Sequence, residues 1–190
     1  MALAVYTKSC AKNVGGNFNK VFLTEIANIS SLSTNSSEIT GITMESGKYF
    51  QMFTAEIDSV QMKVEGTGAS NYFTTQTLIM RFANRTKALD AAIEAITDNI
   101  ACGIAAIRVD GNGTAWLSGY DENGADKKAR PYNKVKVTYD SGLKPSDEAG
   151  NSITVELSRE TEYDEYPFNT AQSTAIATLD TGTAAYIKVS

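Results

Sequence analysis

The sequence predicts a mainly β chain of the α+β class, an antiparallel β-sandwich or rolled sheet flanked by one amphipathic helix. Three observations carry that prediction. Several segments alternate apolar and polar residues with a period of two, as in Val135, Val137 and Tyr139 against Lys134, Lys136 and Thr138. That is the pattern of a strand with one wet face. One convincing stretch, 86–101, instead repeats its apolar residues at spacings of three and four, as a helix does. Turn-forming clusters such as Asp110-Gly111-Asn112-Gly113 separate the alternating runs.

Taken in order, Lys20 to Ile29 is rich in aliphatic and β-forming residues, and Lys48 to Phe53 carries Tyr49, Phe50 and Phe53. Between them, Ile29 to Lys48 reads as a long loop. In Asp58 to Glu65, Val60, Met62 and Val64 alternate with Gln61, Lys63 and Glu65. Tyr72 to Phe82 places Leu78, Met80 and Phe82 on one face and Thr77, Ile79 and Arg81 on the other. Gly66 to Ser70 links these two strands as a hairpin loop. In the helix, Leu89, Ala92, Ile93, Ile96 and Ile100 share a face opposite Lys87, Asp90, Glu94 and Asp98. Asn84 or Thr86 can cap its start, and Gly103 can stop it in a positive-φ conformation. Ile104 to Val109 and Thr114 to Gly119 form a hairpin across the Asp110–Gly113 turn. A charged loop from Asp121 to Arg130 follows, then a strand at Asn133 to Tyr139, a second exposed loop at Asp140 to Asn151, and a strand around Ile153, Val155 and Leu157.

After Tyr163 the composition shifts to threonine and alanine with isolated Ile176, Leu179, Ile187 and Val189. The expected organisation is therefore a β domain over 1–165, containing the helix at 86–101, and a C-terminal arm or extra hairpin over 166–190. That last segment has too little apolar content to fold alone and needs a partner surface, in this chain or in a neighbour.

Bulk properties narrow the function. The chain has 190 residues, enough for one domain with an appended arm. Its net charge of −5 argues against a phosphate-backbone binding surface. There is no histidine, which removes imidazole acid–base catalysis, Ser/His/Asp and Cys/His pairs and the commonest zinc ligand. The expectation is that the chain is not an enzyme and takes no cofactor or metal. Cys10 and Cys102 show no CxxC spacing, and free thiols are expected. The N-terminus lacks a basic region ahead of its short apolar run, so no signal peptide is expected, and no stretch is long and apolar enough to span a bilayer.

Candidate chemistry gives way to simpler readings. Asp121, Asn123 and Asp126, and separately Asp110 and Asn112, resemble calcium ligands but lack the loop spacing, and Asp/Asn/Gly is what tight turns require. Glu160, Glu162, Asp164 and Glu165 could pair for acid–base work, yet read as a solvated acidic rim. Phosphate-binding glycine loops and the GxSxG elbow are absent. Tyr49, Phe50, Phe53, Tyr72 and Phe73 could stack on sugars, but core or intersubunit packing is the favoured role.

The order of elements resembles bacteriophage tail-tube or tail-ring (major tail) proteins, of the kind found in phages of Bacteroidetes. The resemblance spans roughly 20 to 160 and rests on Phe73-Thr74-Thr75-Gln76-Thr77-Leu78, on Asn112-Gly113-Thr114-Ala115-Trp116-Leu117-Ser118-Gly119 and on Ile153-Thr154-Val155-Glu156-Leu157. It implies a virion protein of the tail, present in the host cytoplasm during assembly. Its subunits would form a ring, a hexamer or alternatively a dodecamer, and the rings would stack into a DNA-conducting tube. Partners would be further copies, other tail or neck proteins and transiently passing DNA, with no membrane. Rival readings are another phage structural protein, such as a connector, neck ring or capsid decoration, and a non-viral β-sandwich binding module.

Overall fold

The computed structural model describes residues 16–35, 38–66, 74–121, 128–142, 151–161 and 165–179. In chain order its elements are β1 (Asn17–Glu25), β2 (Ile29–Asn35), β3 (Glu38–Met44), β4 (Gln51–Thr54), β5 (Gln61–Gly66), β6 (Thr74–Phe82), α1 (Lys87–Asn99), β7 (Ile104–Asp110), β8 (Ala115–Ser118), β9 (Tyr120–Asp121), β10 (Lys128–Ala129), β11 (Lys134–Asp140), β12 (Ser152–Thr161), β13 (Tyr166–Pro167) and α2 (Thr170–Thr178). All strand ladders among them are antiparallel. The protein is mainly β with one main helix.

Two sheets dominate. Sheet I has the order β13-β8-β7-β1-β4 and sheet II the order β11-β12-β6-β5. Alternation sends Val21, Leu23, Ile104 and Ala106 of sheet I toward Leu78, Met80, Phe82, Ile153, Val155 and Leu157 of sheet II, and Ile93 and Ile96 of α1 join this core. The intervening residues Phe22, Ala105, Ile107, Val109 and Leu117 point the other way into a second core. Sheet I is buried on both faces, which explains the contiguous apolar runs Val21-Phe22-Leu23 in β1 and Ile104-Ala105-Ala106-Ile107 in β7.

The second core is covered by elements that the sequence pattern does not mark. Residues 29–44, expected as a loop, form the β2–β3 hairpin and bury Ile29, Leu32, Ile39 and Ile42. Its ladder shifts register between Ile29 and Ser31 and between Ser33 and Thr34. Such bulges insert a residue, so the buried side chains fall three apart and the period of two disappears. Residues 166–179, expected as part of an arm or extra hairpin, form β13 and the second helix α2. Ile176 and Ser173 of α2 are buried, and the surface it needs belongs to this chain. Residues 180–190 lie outside the described residues.

The main helix follows its sequence signals closely. Thr86 caps it by accepting a hydrogen bond from Leu89 N at 3.1 Å. Its last turn tightens into a 3-10 turn at Ile100–Cys102, and Gly103 with φ 84° ends it. Pro131 packs where a Gly103 side chain would stand, 2.4 Å from an ideal Cβ position. Beyond it, Tyr132 bridges Ile104 through both backbone hydrogen bonds, at 2.9 and 3.0 Å, and leads the chain from sheet I into β11 of sheet II.

Candidate assembly interface

Of the acidic residues near the end of β12, the two that are described, Glu160 and Glu165, take different partners. Glu165 forms a nearly buried ion pair with Arg108 on β7, which also bonds Asn17 Oδ1 at 2.6 Å and lies over the Trp116 ring. Glu160 is instead exposed on sheet II and accepts from Lys134 Nζ at 2.7 Å. That hydrogen bond and charge hold the Glu160 carboxyl below the usual glutamate range. Glu162 and Asp164 lie outside the described residues, as do Cys10, Asn123, Asp126, Tyr72 and Phe73.

The Asp110–Gly113 turn has its carboxylate fully committed. One oxygen accepts from Asn112 N and Thr114 N, both at 2.9 Å, and the other accepts from Trp116 Nε1 at 2.9 Å. This is turn chemistry that also orients the tryptophan. Among the described residues no three His, Cys, Asp or Glu side chains gather as a metal site, and no helix is long and apolar enough to cross a membrane. Cys102 is an exposed free thiol. Of the candidate stacking aromatics, Phe50 is fully buried and Phe53 packs edge-on against Phe82. Tyr49 borders a cleft of about 300 Å³ between α1 and β4, with Gln51, Ala92 and Asn99 among its other walls.

Arg159 and Tyr132 form the most deeply buried polar group. Arg159 Nε and Nη2 donate to Gln76 Oε1 at 2.8 and 2.6 Å, and Nη1 donates to Arg130 O at 2.9 Å. The guanidinium lies 5.7 Å from the Tyr132 ring centre, and the Tyr132 hydroxyl shares a 2.9 Å hydrogen bond with Ser118. Burial drives the Tyr132 pKa upward, because phenolate would be stranded in an apolar core. The group fastens sheet II to sheet I through β6, β8 and β12.

The feature that stands open is the border of sheet II. Its outer strands, β5 and β11, have no ladder partner on their far sides among the described residues. Ladder register fixes which side chains share a face: Met62 lies opposite Leu78 and Val64 opposite Gln76, while Val137 lies opposite Val155 and Tyr139 opposite Ile153. These residues therefore belong to the face that elsewhere forms the core. Yet Val64, Val137 and Tyr139 are 50%, 43% and 48% exposed, because sheet I does not reach far enough to cover them. Tyr139 is held upright by Arg85, whose guanidinium sits 4.4 Å from its ring centre.

The opposite face of sheet II is polar. It carries Lys63, Arg81, Lys134 and Lys136 against Glu65, Glu156, Glu160 and Asp140, interspersed with Thr75, Thr77, Thr138, Thr154 and Ser158. Positive and negative charges balance there, so the acidic excess of the chain lies elsewhere. Gly66 pairs with Thr74 at one end of sheet II and Asp140 with Ser152 at the other.

Comparison of the chain with protein-family models, with curated proteins and with solved structures finds no match.

Proposed function

We propose that this chain is a structural subunit that assembles into closed rings, and that the rings stack as a phage tail tube through which DNA passes. The observation that carries this reading is the border of sheet II, where two strand edges that are unpaired among the described residues expose apolar side chains on the core-side face. Free edges of this kind invite pairing with another chain, and closing the sheet into a barrel removes them.

Geometry supports one orientation. The core-side face of sheet II is covered by sheet I and α1, so a barrel built from sheet II has room for them only on its outside. Its polar face then lines the channel. With balanced charge and many hydroxyls, that wall holds no dense cationic surface to retain a polyanion. The two ends of sheet II, at Gly66 with Thr74 and at Asp140 with Ser152, would face the successive rings. The assignment to a phage tail rests on the resemblance in the three segments quoted above.

The test is negative-stain microscopy with light scattering on the purified full-length chain. Rings or tubes with a central channel are expected. A strict monomer at high concentration, both alone and with its virion partners, would overturn the proposal. Single rings that never stack would favour a neck or connector ring.

A further inference from the structure

The geometry points to one particular junction between copies: β5 of one subunit pairs antiparallel with β11 of the next, with Val64 opposite Val137, Met62 opposite Tyr139 and Glu65 opposite Lys136. This inference rests on the ring reading and specifies its interface. Direction comes first. The four strands of sheet II alternate, so β5 and β11 run oppositely. A second copy related by rotation about an axis along the strands presents its β11 antiparallel to the first copy's β5. Each junction then continues the antiparallel pattern, and one repeated contact satisfies both edges of every subunit.

Register follows from three constraints. A slip by one residue would set Val64 opposite a residue of the polar face, so only slips of two are allowed. In the proposed register all six residues of β5 find partners within β11. Glu65 then faces Lys136, and the half-exposed Val64 and Val137 cover each other. Sliding two residues one way pairs Glu65 with Lys134 but sets Lys63 opposite Lys136, a like-charge pair that destabilises the ladder, and carries Gly66 past Lys134, the first residue of β11. Sliding two residues the other way sets Lys63 opposite Asp140 but carries Gln61 and Met62 past that residue, the last of β11, and leaves them unpaired. The thioether of Met62, half-buried against the core, meets the Tyr139 ring in the favoured register.

A two-fold contact of β11 with itself is the competing arrangement. Centred on Val137, it would set Lys134 opposite Asp140, which is also favourable. It would leave both β5 edges of the dimer uncovered, with Val64 still half-exposed.

Disulfide trapping separates these arrangements. In full-length protein carrying Cys10→Ser and Cys102→Ser, the pairs Val64→Cys/Val137→Cys, Val64→Cys/Val135→Cys and Val64→Cys/Tyr139→Cys sample the three registers. Directly opposed residues have Cα atoms about 4.5–5.5 Å apart, within disulfide reach, whereas diagonal neighbours stand at about 7–8 Å. Under mild oxidation the first pair is expected to give a covalent ladder up to ring size, at least tenfold faster than either of the others. Each single variant should remain uncrosslinked. Circular dichroism checks that every variant is folded. Faster trapping by another pair, or dimers from Val137→Cys alone, would overturn the junction. So would rings in the microscope with no trapping by any pair, and that result would leave the ring reading intact. Absence of any assembly by the unsubstituted chain would remove both.

Discussion

Replacing Gly103 by alanine should destabilise the protein far more than the same change at Gly113, although both residues have φ 84°. Gly113 closes the β7–β8 turn with nothing within 4 Å of an added Cβ. Gly113→Ala therefore incurs only the backbone term, about 1–2 kcal/mol for an L-residue at positive φ. Gly103 has ψ 134°, a combination that costs a residue bearing a Cβ about 1–3 kcal/mol. Its Cβ would also stand 2.4 and 2.7 Å from two ring carbons of Pro131. A proline ring cannot swing aside without moving backbone, and the next residue, Tyr132, carries the bridge to Ile104. Overpacking of this kind adds about 1–3 kcal/mol. The expected total is about 2–6 kcal/mol.

Urea and thermal unfolding followed by circular dichroism read the difference. For a chain of this length each kcal/mol lowers Tm by about 2–4 °C. Gly103→Ala should thus melt several degrees below Gly113→Ala. The close approach of the helix terminus to the 130–132 segment matters here because that segment delivers β11 to the border of sheet II. Equal melting temperatures for the two variants would refute the reasoning. Pro131 would then not press on Gly103 as described, and the path into β11 would be wrong.

Three further outcomes are expected. Ile176→Ala should cost about 2–5 kcal/mol in denaturant unfolding, because Ile176 is 1% exposed in the second core; a change under about 0.5 kcal/mol would show that α2 is not docked. Tyr132→Phe removes the hydroxyl that bonds Ser118 in a buried site and should cost about 1–3 kcal/mol, while ultraviolet titration of the unsubstituted protein should find one tyrosine that ionises only on alkaline unfolding. Because Lys134 lowers the folded-state pKa of Glu160, the stabilisation from this pair is present above the unfolded pKa of glutamate and is lost as pH falls through the lower folded value; carboxyl NMR of Lys134→Ala should return Glu160 to the ordinary range, and an unchanged titration would dismiss the pair.

Where one rule governed a segment, the sequence was easy to read. β6 shows Leu78, Met80 and Phe82 buried and Thr77, Ile79 and Arg81 less so, because a regular strand between two others keeps strict alternation. The helix was legible from its 3.6-residue period, its Thr86 cap and its Gly103 stop. The β2–β3 hairpin was hidden by its bulges and by its serines and threonines, which suit loops as well as strands. In α2, Thr170-Ala171-Gln172-Ser173-Thr174-Ala175-Ile176 has no apolar stripe, since a short helix on a flat sheet needs only a few anchors. One signal was available there: Asn169 accepts from Gln172 N at 2.9 Å, an N-cap that follows directly on Pro167-Phe168. The border of sheet II was half legible. Alternation places Val64, Val137 and Tyr139 on an inner face, but their exposure depends on how far sheet I extends, and no local pattern encodes that.

The charges on β5 and β11 restrict what those edges can join. Lysine on an edge strand is a common defence against indiscriminate pairing, and Lys63, Lys134 and Lys136 all lie on the polar face of the two outer strands. Defence by like charge acts best against a strand meeting its own kind in a poor register. It fails where carboxylates stand opposite, and the register that sets Glu65 against Lys136 does so with all six residues of β5 paired and no two lysines opposed. Apolar side chains on the other face then supply the gain from burial, about 25 cal/mol for each Å² of apolar surface covered. Burial alone would favour any partner and any register, and charge alone would contribute little at an exposed border. Together, on opposite faces of the same two strands, they favour the offset in which a continuous antiparallel sheet would close on itself under the proposed assembly.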